Sequence, residues 1–325
     1  MIPRWDVQVE GGQSFASGAQ LVIASLPALW GRLPSNDSNG GVEDTIELED
    51  GRTVAFATFG SPDGIPVIWC HGGPGSRLDP IHRDAEAARA GLLLVGVDRP
   101  GYGLSTPLPG RTIADWVPDA VAVANELELD QFVAIGESTG GAYALALAAL
   151  VPDRALGVVA CCSLTDMRYE AARTTMSHPH CHAVWDASDR QSAIAAAVEA
   201  HGVGGSKMTG DGLREALAPS DVVLFQNPVW AEQAMAVFPA MFEQGLVGYT
   251  DDRLADGGGW DSFDVTAITC PVTVLHGEMD RMCDVLNARH TAELVPNSRL
   301  VLYEDLGHFS IEAKLLPAIS ELLEH

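Results

Sequence analysis

One serine lies in a sequence pattern that could make its hydroxyl a nucleophile. Ser138 is the central residue of a Gly-x-Ser-x-Gly segment, Gly136-Glu137-Ser138-Thr139-Gly140. This spacing is typical of a sharp turn between a strand and a helix, where glycines leave room for a crowded backbone. Residues 132–135 before it are apolar like a buried strand, and residues 142–150 after it are apolar like a buried helix. The pattern predicts a serine raised above a strand end; the alternative is a glycine-rich turn with an incidental serine.

A serine hydroxyl needs a base to act as a nucleophile at neutral pH, and the base needs an acid to orient it. Both residue types follow later apolar runs that are typical of strands. The run 272–275 precedes Glu278 and Asp280, and the run 299–303 precedes His308. In parallel sheets, functional residues collect at the carboxyl ends of the strands. The order serine, acid, histidine therefore predicts a catalytic triad. His276 is interpreted as a structural residue at a strand end.

The elements around these residues alternate between strands and helices. An Asp50-Gly51 turn between residues 45–49 and 53–59 predicts a β-hairpin. Further strands are predicted at 65–70, 92–97, 132–135 and 156–161, with helices between them. Such alternation indicates an α/β fold with a mostly parallel sheet and helices on both faces. The alternation includes a helix at 113–127 and stops near Ser163. Residues 165–268 then have helical patterns, one of them at 229–244, and irregular segments with a loop at 257–259 before the strands return.

Five motifs in register resemble those of the α/β-hydrolase fold superfamily. Besides the serine turn they are His71-Gly72-Gly73-Pro74-Gly75, Asp98-Arg99-Pro100-Gly101-Tyr102-Gly103, Gly277-x-x-Asp280 and Gly307-His308. The resemblance covers residues 43–164 and 269–325 and implies an α/β-hydrolase core. Residues 165–268 would then be an inserted helical cap, and residues 1–42 an N-terminal extension.

The resemblance also implies roles for individual residues. Ser138 would be the nucleophile, His308 the general base and then the general acid, and Asp280 the acid that orients His308. Glu278 is the alternative acid, although the family usually places its acid three residues after the glycine of this turn. The backbone N–H groups of Gly73 and Thr139 would form the oxyanion hole. This chemistry needs no cofactor and no metal ion, and none is expected.

Two other interpretations of the sequence, a nucleotide site and a metal site, have less support. The glycine-rich loop at 71–75 lacks the Lys-Ser/Thr ending of a phosphate-binding loop, which argues against a nucleotide site. The histidines and cysteine in residues 177–182 have the composition of a metal cluster, but nothing else in the sequence supports a metal ion.

Large apolar side chains in the cap could line a substrate pocket. Five of them recur at near-helical spacing, and two lie earlier in the cap, so that the candidates are Trp230, Met235, Phe238, Met241, Phe242, Trp185 and Phe225. The alternative for most of them is packing of the cap onto the core.

Composition indicates which partners and which cellular compartment to expect. The chain has 325 residues, 47% of them apolar, and a net charge of −25. Such acidity repels nucleic acid and anionic lipid, so no partner of either kind is expected. Six cysteines without a CxxC pair predict buried free thiols in a reducing compartment. No apolar run has the length of a membrane span, and the N-terminus lacks the basic region of a signal peptide, so we expect a cytoplasmic protein. Residues 1–40 could pack on the main body or form a homodimer contact.

The sequence thus predicts a hydrolase that cleaves a carboxylic ester or lactone of a medium-sized, largely apolar substrate through an acyl-enzyme on Ser138. One alternative is an aminopeptidase, because the loop at 71–75 resembles that of proline iminopeptidases; those enzymes usually carry Trp where this chain has Thr139. A carbon–carbon bond hydrolase is a second alternative. A ligand-binding receptor that retains the triad is the alternative outside enzymes.

Overall fold

A computed structural model describes residues 41–176, 179–208 and 211–324. The first forty residues lie outside these ranges, and with them the homodimer contact that is one of the two roles expected for them. So do Ser177 and His178 of the segment that the sequence offers as an alternative metal cluster.

The centre of the described chain is a sheet of eight strands. Its strands are β1 (Val42–Glu47), β2 (Thr53–Gly60), β3 (Ile65–Cys70), β4 (Leu92–Val97), β5 (Phe132–Glu137), β6 (Ala155–Cys161), β7 (Val272–Gly277) and β8 (Ser298–Tyr303). The spatial order is β1-β2-β4-β3-β5-β6-β7-β8. The two pairs that involve β2 are antiparallel, and the remaining pairs are parallel. This is the mostly parallel sheet that the sequence predicts.

Helices surround the sheet and fill the insertion. The α-helices in the described ranges are α1 (Asp84–Ala90), α2 (Val117–Glu126), α3 (Gly140–Leu150), α4 (Glu170–Thr175), α5 (Pro179–Trp185), α6 (Arg190–His201), α7 (Asp211–Ala216), α8 (Pro219–Phe225), α9 (Pro228–Met241), α10 (Val247–Gly257), α11 (Leu286–Leu294) and α12 (Leu315–Leu323). Short 3₁₀ helices include Asp79–Arg83 and Ser310–Lys314. No helix in these ranges is both long enough and apolar enough to cross a membrane.

Apolar packing covers both faces of the sheet. The central strands β4 and β5 are buried along their whole length, as expected for strands covered on both sides. One core includes Trp116 and most of α3, and the other includes Trp69 and α12. Because α3 follows the serine turn directly and is buried except at its end, the turn is fixed on a rigid support.

Helices α4 to α10 lie between β6 and β7 in sequence, in the insertion that the sequence predicts as a cap, and they are called the cap below. Several boundaries differ from the sequence-based predictions. The helix predicted at 229–244 ends at Met241, two residues after Pro239. The helix predicted at 113–127 begins as a 3₁₀ turn, Ala114–Trp116, and becomes α2 where Pro118 suits a first helical turn. The loop predicted at 257–259 begins one residue later, because α10 extends to Gly257.

Candidate functional site

Ser138 follows β5 in a strained turn. Its φ angle is +52°, in the left-handed region that residues with side chains seldom adopt. The glycines around it are required by close contact. A Cβ on Gly136 would lie 2.3 Å from the Gly140 carbonyl oxygen, and a Cβ on Gly140 would lie 1.9 Å from that of Cys70. The Ser138 N–H donates to the Cys161 carbonyl at 2.9 Å. The turn thus has the geometry of a nucleophile elbow.

His308 and Asp280 form a buried pair at the ends of β8 and β7. The His308 Nδ1 and Asp280 Oδ2 atoms are 2.7 Å apart, and both side chains are at least nine-tenths buried. The other oxygen of Asp280 accepts from the N–H groups of Met282 and Cys283. Glu278 instead pairs with Arg289 at 3.4 Å on the surface. Of the two acids that the sequence offers, Asp280 is therefore the one in contact with His308.

The pair has shifted pKa values. Burial alone would lower the pKa of His308, but the Asp280 carboxylate and the nearby Cys162 outweigh burial and raise it well above its usual value. Burial would raise the pKa of Asp280, and His308 outweighs this effect and holds it below its usual value. His276 lies 3.6 Å from Asp280, donates through Nε2 to the Cys283 carbonyl, and has a pKa lowered by burial. An uncharged His276 fits the structural role predicted for it.

Ser138 and His308 do not form a hydrogen bond with each other within the described part of the chain. The Ser138 hydroxyl instead contacts the Cys283 sulfur, at 3.9 Å. Triad hydrogen bonds are often long without substrate and shorten when it binds. The four residues Ser138, Cys162, Asp280 and His308 follow the neighbouring strands β5, β6, β7 and β8, so the elements bring the groups to one edge of the sheet.

The two predicted oxyanion donors are neighbours. A Cβ on Gly73 would lie 2.7 Å from the Thr139 hydroxyl oxygen, so that the loop after β3 touches the serine turn. The backbone N–H groups of Gly73 and Thr139 donate no hydrogen bond to any other described residue. Two unsatisfied donors beside a serine have the composition of an oxyanion hole.

A buried ion-pair network supports the glycine loop at residues 71–75. Arg99 donates to the carbonyl oxygens of His71 and Gly72 at 2.5 and 2.7 Å. It also pairs at 2.7 Å with Asp252 of α10, which in turn bonds Arg111. Burial would raise the pKa of Asp252, but the two arginines hold it well below its usual value. A charged cap residue is thus tied to the loop that carries Gly73.

A second cap acid holds the histidine loop. Asp221 of α8 is fully buried and accepts hydrogen bonds from the N–H groups of three consecutive residues, His308 at 3.2 Å, Phe309 at 3.1 Å and Ser310 at 2.8 Å. The Ser310 hydroxyl also donates to it at 2.8 Å. A carboxylate is well placed there because these N–H groups begin the 3₁₀ helix Ser310–Lys314.

The predicted pocket residues fall into three groups. Phe225 and Trp230 contact Phe309 edge to face, and the Phe309 ring lies 5.3 Å from that of His308. Trp185 packs against an apolar cluster that contains Cys283, the neighbour of Ser138. The remaining four lie elsewhere. Phe238 and Phe242 contact each other, Met241 packs on the sheet core, and Met235 is 42% exposed.

Three buried residues of the site escape sequence reasoning: Asp221, Asp252 and Arg253. Arg253 of α10 donates to the Thr139 hydroxyl, beside the predicted oxyanion hole. Each contacts a residue more than eighty positions away, and a charged residue in a helix usually lies in solvent. The only available signal is the run Asp251-Asp252-Arg253, which resembles a solvated helix face.

Within the described residues, one group has donor atoms close enough together to bind a metal ion, and it includes His308 and Asp280. One donor atom each from Cys162, Asp280 and His308 lies within 4.8 Å of the others. In the segment predicted as an alternative metal cluster, the Cys181 sulfur lies 3.8 Å from the Tyr249 hydroxyl and the His182 ring contacts Trp185. All six cysteines are free and buried, as predicted.

The chain is similar in sequence to known proteins. The family model for the alpha/beta hydrolase fold matches residues 65–194. A proline iminopeptidase from Arabidopsis thaliana is 34% identical over 120 residues, which are 35% of this chain and 30% of that protein. A probable proline iminopeptidase from Leptolyngbya boryana is 25% identical, covering 82% of this chain and 88% of its own length.

The structure agrees with this match. An esterase from Thermogutta terrifontis superposes with a TM-score of 0.62 at 24% identity, covering 87% of this chain and 98% of the esterase. Sequence motifs, sheet order and these similarities together lead to one conclusion: the chain has the α/β-hydrolase fold.

Proposed function

We propose that the protein is a serine hydrolase that cleaves a carboxylic ester or lactone. The observation that carries this proposal is the placement of a strained serine after β5 and a buried histidine–aspartate pair after β7 and β8, at one edge of the sheet. Ser138 would attack the carbonyl carbon, and His308 would take its proton. Asp280, which accepts from His308 Nδ1, would leave Nε2 to act as the base. Substrate binding would replace the contact of the Ser138 hydroxyl with Cys283 by one with His308.

The later steps use the same groups. Negative charge developing on the carbonyl oxygen would be stabilised by the N–H groups of Gly73 and Thr139, which have no other acceptor among the described residues. Protonated His308 would then give its proton to the leaving alcohol, leaving an acyl group on Ser138. Water activated by His308 would release the acid. In a lactone the alcohol stays attached to the acyl chain.

Aromatic side chains favour an apolar part of the substrate. Trp230, Phe225 and Phe309 form one wall next to His308, and the cluster around Trp185 and Cys283 lies next to Ser138. This arrangement supports a medium-sized substrate with apolar groups on both sides of the reacting carbonyl.

The charges of the cap favour an ester over the aminopeptidase alternative. A peptide N-terminus would need an available carboxylate near Ser138. The three acids buried on α10 already pair with arginines: Asp251 with Arg190, Asp252 with Arg99 and Arg111, and Asp256 with Arg253. They are therefore engaged, and a neutral ester needs none of them.

Two measurements together test this proposal: covalent labelling of Ser138 and turnover of esters. A fluorophosphonate probe should label the wild-type protein, and Ser138→Ala should abolish labelling and lower kcat/KM for 4-nitrophenyl esters by at least about 10⁴-fold. Ser188→Ala, at an exposed cap serine, is the control and should keep both. A panel of lactones and proline 4-nitroanilide completes the assay. Faster cleavage of the anilide would assign the aminopeptidase instead, and full activity in Ser138→Ala would exclude an acyl-enzyme on this serine.

A further inference from the structure

Arg253 places a positive charge beside the reacting serine. It is 3% exposed, and its Nη2 group donates to the hydroxyl of Thr139, the residue after Ser138. The same hydroxyl oxygen lies 2.7 Å from the position of a Cβ on Gly73. The guanidinium therefore lies next to both residues to which the proposed function assigns the oxyanion hole.

The hydrogen-bonding capacity of Arg253 is only partly used. Nη2 donates to the Thr139 hydroxyl and forms an ion pair with Asp256, whose Oδ2 lies 2.5 Å away but accepts no hydrogen bond from the described residues. Nε is buried and has no hydrogen-bond partner. In a guanidinium, Nε and Nη2 form one edge that binds the two oxygens of a carboxylate in parallel. One half of this edge is empty, at a site where an unpaired buried donor is costly.

The arginines that pair with acids of α10 differ in how they use Nε. Arg99 uses Nε and both Nη groups on Asp252 and two backbone carbonyls, and Arg190 uses Nε and Nη2 on Asp251. Arg111 bonds Tyr143 and Asp252 through its Nη groups and, like Arg253, has a buried Nε without a hydrogen-bond partner. Of the two arginines with an unused Nε, Arg253 is the one that contacts the serine turn.

Asp256 has the properties of a counter-ion that a ligand can replace. Burial raises its pKa to about 6 even though Arg253 opposes the change, so its charged form is held less firmly than that of an ordinary aspartate. Trp185 Nε1 donates to its other oxygen at 2.8 Å and would keep the side chain in place. A second carboxylate arriving at Arg253 would favour protonation of Asp256, which leaves the group of charges balanced.

We infer that Arg253 is a subsite for a carboxylate, and that the substrate is an ester or lactone whose acyl part carries a carboxylate a few carbons from the reacting carbonyl. The inference rests on the proposed function for the reaction itself. The Nε–Nη2 edge would bind the carboxylate, while the aromatic walls would hold the alcohol part. This subsite selects substrates, since it adds binding energy to anionic acyl groups and none to neutral ones.

A matched pair of esters tests the subsite. Monoethyl succinate and ethyl 4-methylpentanoate have the same shape, with a carboxylate in one where the other has an isopropyl group. Wild-type kcat/KM should be at least about tenfold higher for the succinate, in keeping with a charge-assisted hydrogen bond. Arg253→Gln should lower kcat/KM for both esters, because Arg253 also contacts Thr139, but the loss for the succinate should be at least about tenfold larger than the loss for the neutral ester. Arg253→Lys keeps the charge but not the Nε–Nη2 edge. Its kcat/KM for the succinate should lie between those of the wild type and Arg253→Gln.

Asp256→Asn separates ligand binding from structural support. Removal of the competing carboxylate should increase kcat/KM for monoethyl succinate, whereas a purely structural Arg253–Asp256 pair predicts a loss for both esters. Arg190→Gln is the control, because it removes an arginine from another α10 ion pair away from the serine turn. Equal use of both esters by the wild type, or equal losses for both in Arg253→Gln, would overturn the inference.

A binding measurement distinguishes failure of the subsite from failure of the proposed reaction. Calorimetry with Ser138→Ala should detect monoethyl succinate, and binding should weaken at least about tenfold in the Ser138→Ala, Arg253→Gln double variant. Binding that depends on Arg253 without any ester turnover in the wild type would support the subsite and refute the ester reaction. Turnover of both esters without dependence on Arg253 would support the ester reaction and refute the subsite.

Discussion

The His308–Asp280 pair determines how the site should respond to pH. Five ionisable groups surround His308 or interact with its charge: Asp280, Cys162, His276, Glu137 and Glu312. Burial raises the pKa of Glu137 well above its usual value and that of Glu312 to about 7, so much of their charge is absent near neutrality. Asp280 remains the nearest full negative charge, at 2.7 Å from Nδ1.

We therefore expect the acid limb of the pH–rate profile above pH 6.5. His308 must be uncharged to accept the Ser138 proton, and Asp280 raises the pKa at which it becomes uncharged. As pH falls through that pKa, kcat/KM should fall with unit slope. Asp280→Asn should move the midpoint to lower pH and also reduce the plateau by about 10⁴-fold, since the imidazole loses its orienting acid. The measurement is kcat/KM for an activated ester between pH 4 and pH 9.

Asp305→Asn is the control for this profile. Asp305 is exposed in the loop before His308, so its replacement makes the same change of charge without contact to the imidazole. It should leave the midpoint unchanged. A midpoint that stays in place in Asp280→Asn would contradict the assignment of Asp280 as the residue that raises the pKa of His308.

At the scale of elements, α8 of the cap supports the loop that carries His308. Asp221 supplies acceptors to four donors in residues 308–310, three of them backbone N–H groups. The backbone of this loop follows β8 and has few other ways to satisfy these donors. Cap position and histidine position are thus linked through one carboxylate.

Asp221→Ala should lower both stability and rate. Four buried donors lose their acceptor, and each unsatisfied group can cost about 1–3 kcal/mol, so a loss of at least about 3 kcal/mol in unfolding free energy is expected. At a temperature where the variant is folded, kcat should fall more than KM rises, because the imidazole is displaced and the substrate walls remain. Asp284→Ala removes an exposed aspartate that accepts from Leu286 N–H of α11, and it is the matched control. A variant with wild-type kcat would show that the loop keeps its position without α8.

The contrast between local and distant information explains which elements the sequence predicts. The strands, the serine turn and the placement of Asp280 and His308 follow from apolar runs, glycine spacing and family motifs, which are local signals. Helix α10 was not predicted as a separate element, because its acidic run resembles a solvated face although Asp251, Asp252 and Arg253 are buried. Their partners Arg190, Arg99 and Thr139 are 61, 153 and 114 residues away. Pairing over such distances has no periodicity that one sequence can reveal.

The same reason limits prediction of the pocket. Spacing on α9 made Trp230 and Met235 equal candidates for the pocket. In the structure Trp230 contacts Phe309, whereas Met235 is 42% exposed. Which side of a cap helix faces the serine depends on how the helices pack together. That packing depends on contacts such as Asp221 with residues 308–310, which no pattern within α9 contains.

For the molecule as a whole, buried charges join the cap to the core. Asp252 of α10 bonds two arginines and two tyrosines of the core: Arg99, Arg111, Tyr102 and Tyr143. None of these five side chains is more than 5% exposed. Removing one member of such a network leaves the others buried and charged without a partner, which costs far more than loss of a surface pair. The cap and the core should therefore unfold together.

Alkylation of buried thiols can test this coupling in both regions at once. Cys181 reports on the cap, and Cys70 reports on the core beneath the glycine loop. In wild-type protein, a short pulse of alkylating reagent across a urea series should modify both at the same midpoint. Asp252→Asn should reduce unfolding free energy by about 3–5 kcal/mol and expose Cys181 at lower urea than Cys70, because the cap loses its charged link. Arg299→Gln removes an exposed ion pair with Glu321 and should cost no more than about 1 kcal/mol, with the two midpoints still equal. Alkylation of Cys181 well before Cys70 in the wild type would mean that the buried network does not couple the cap to the sheet.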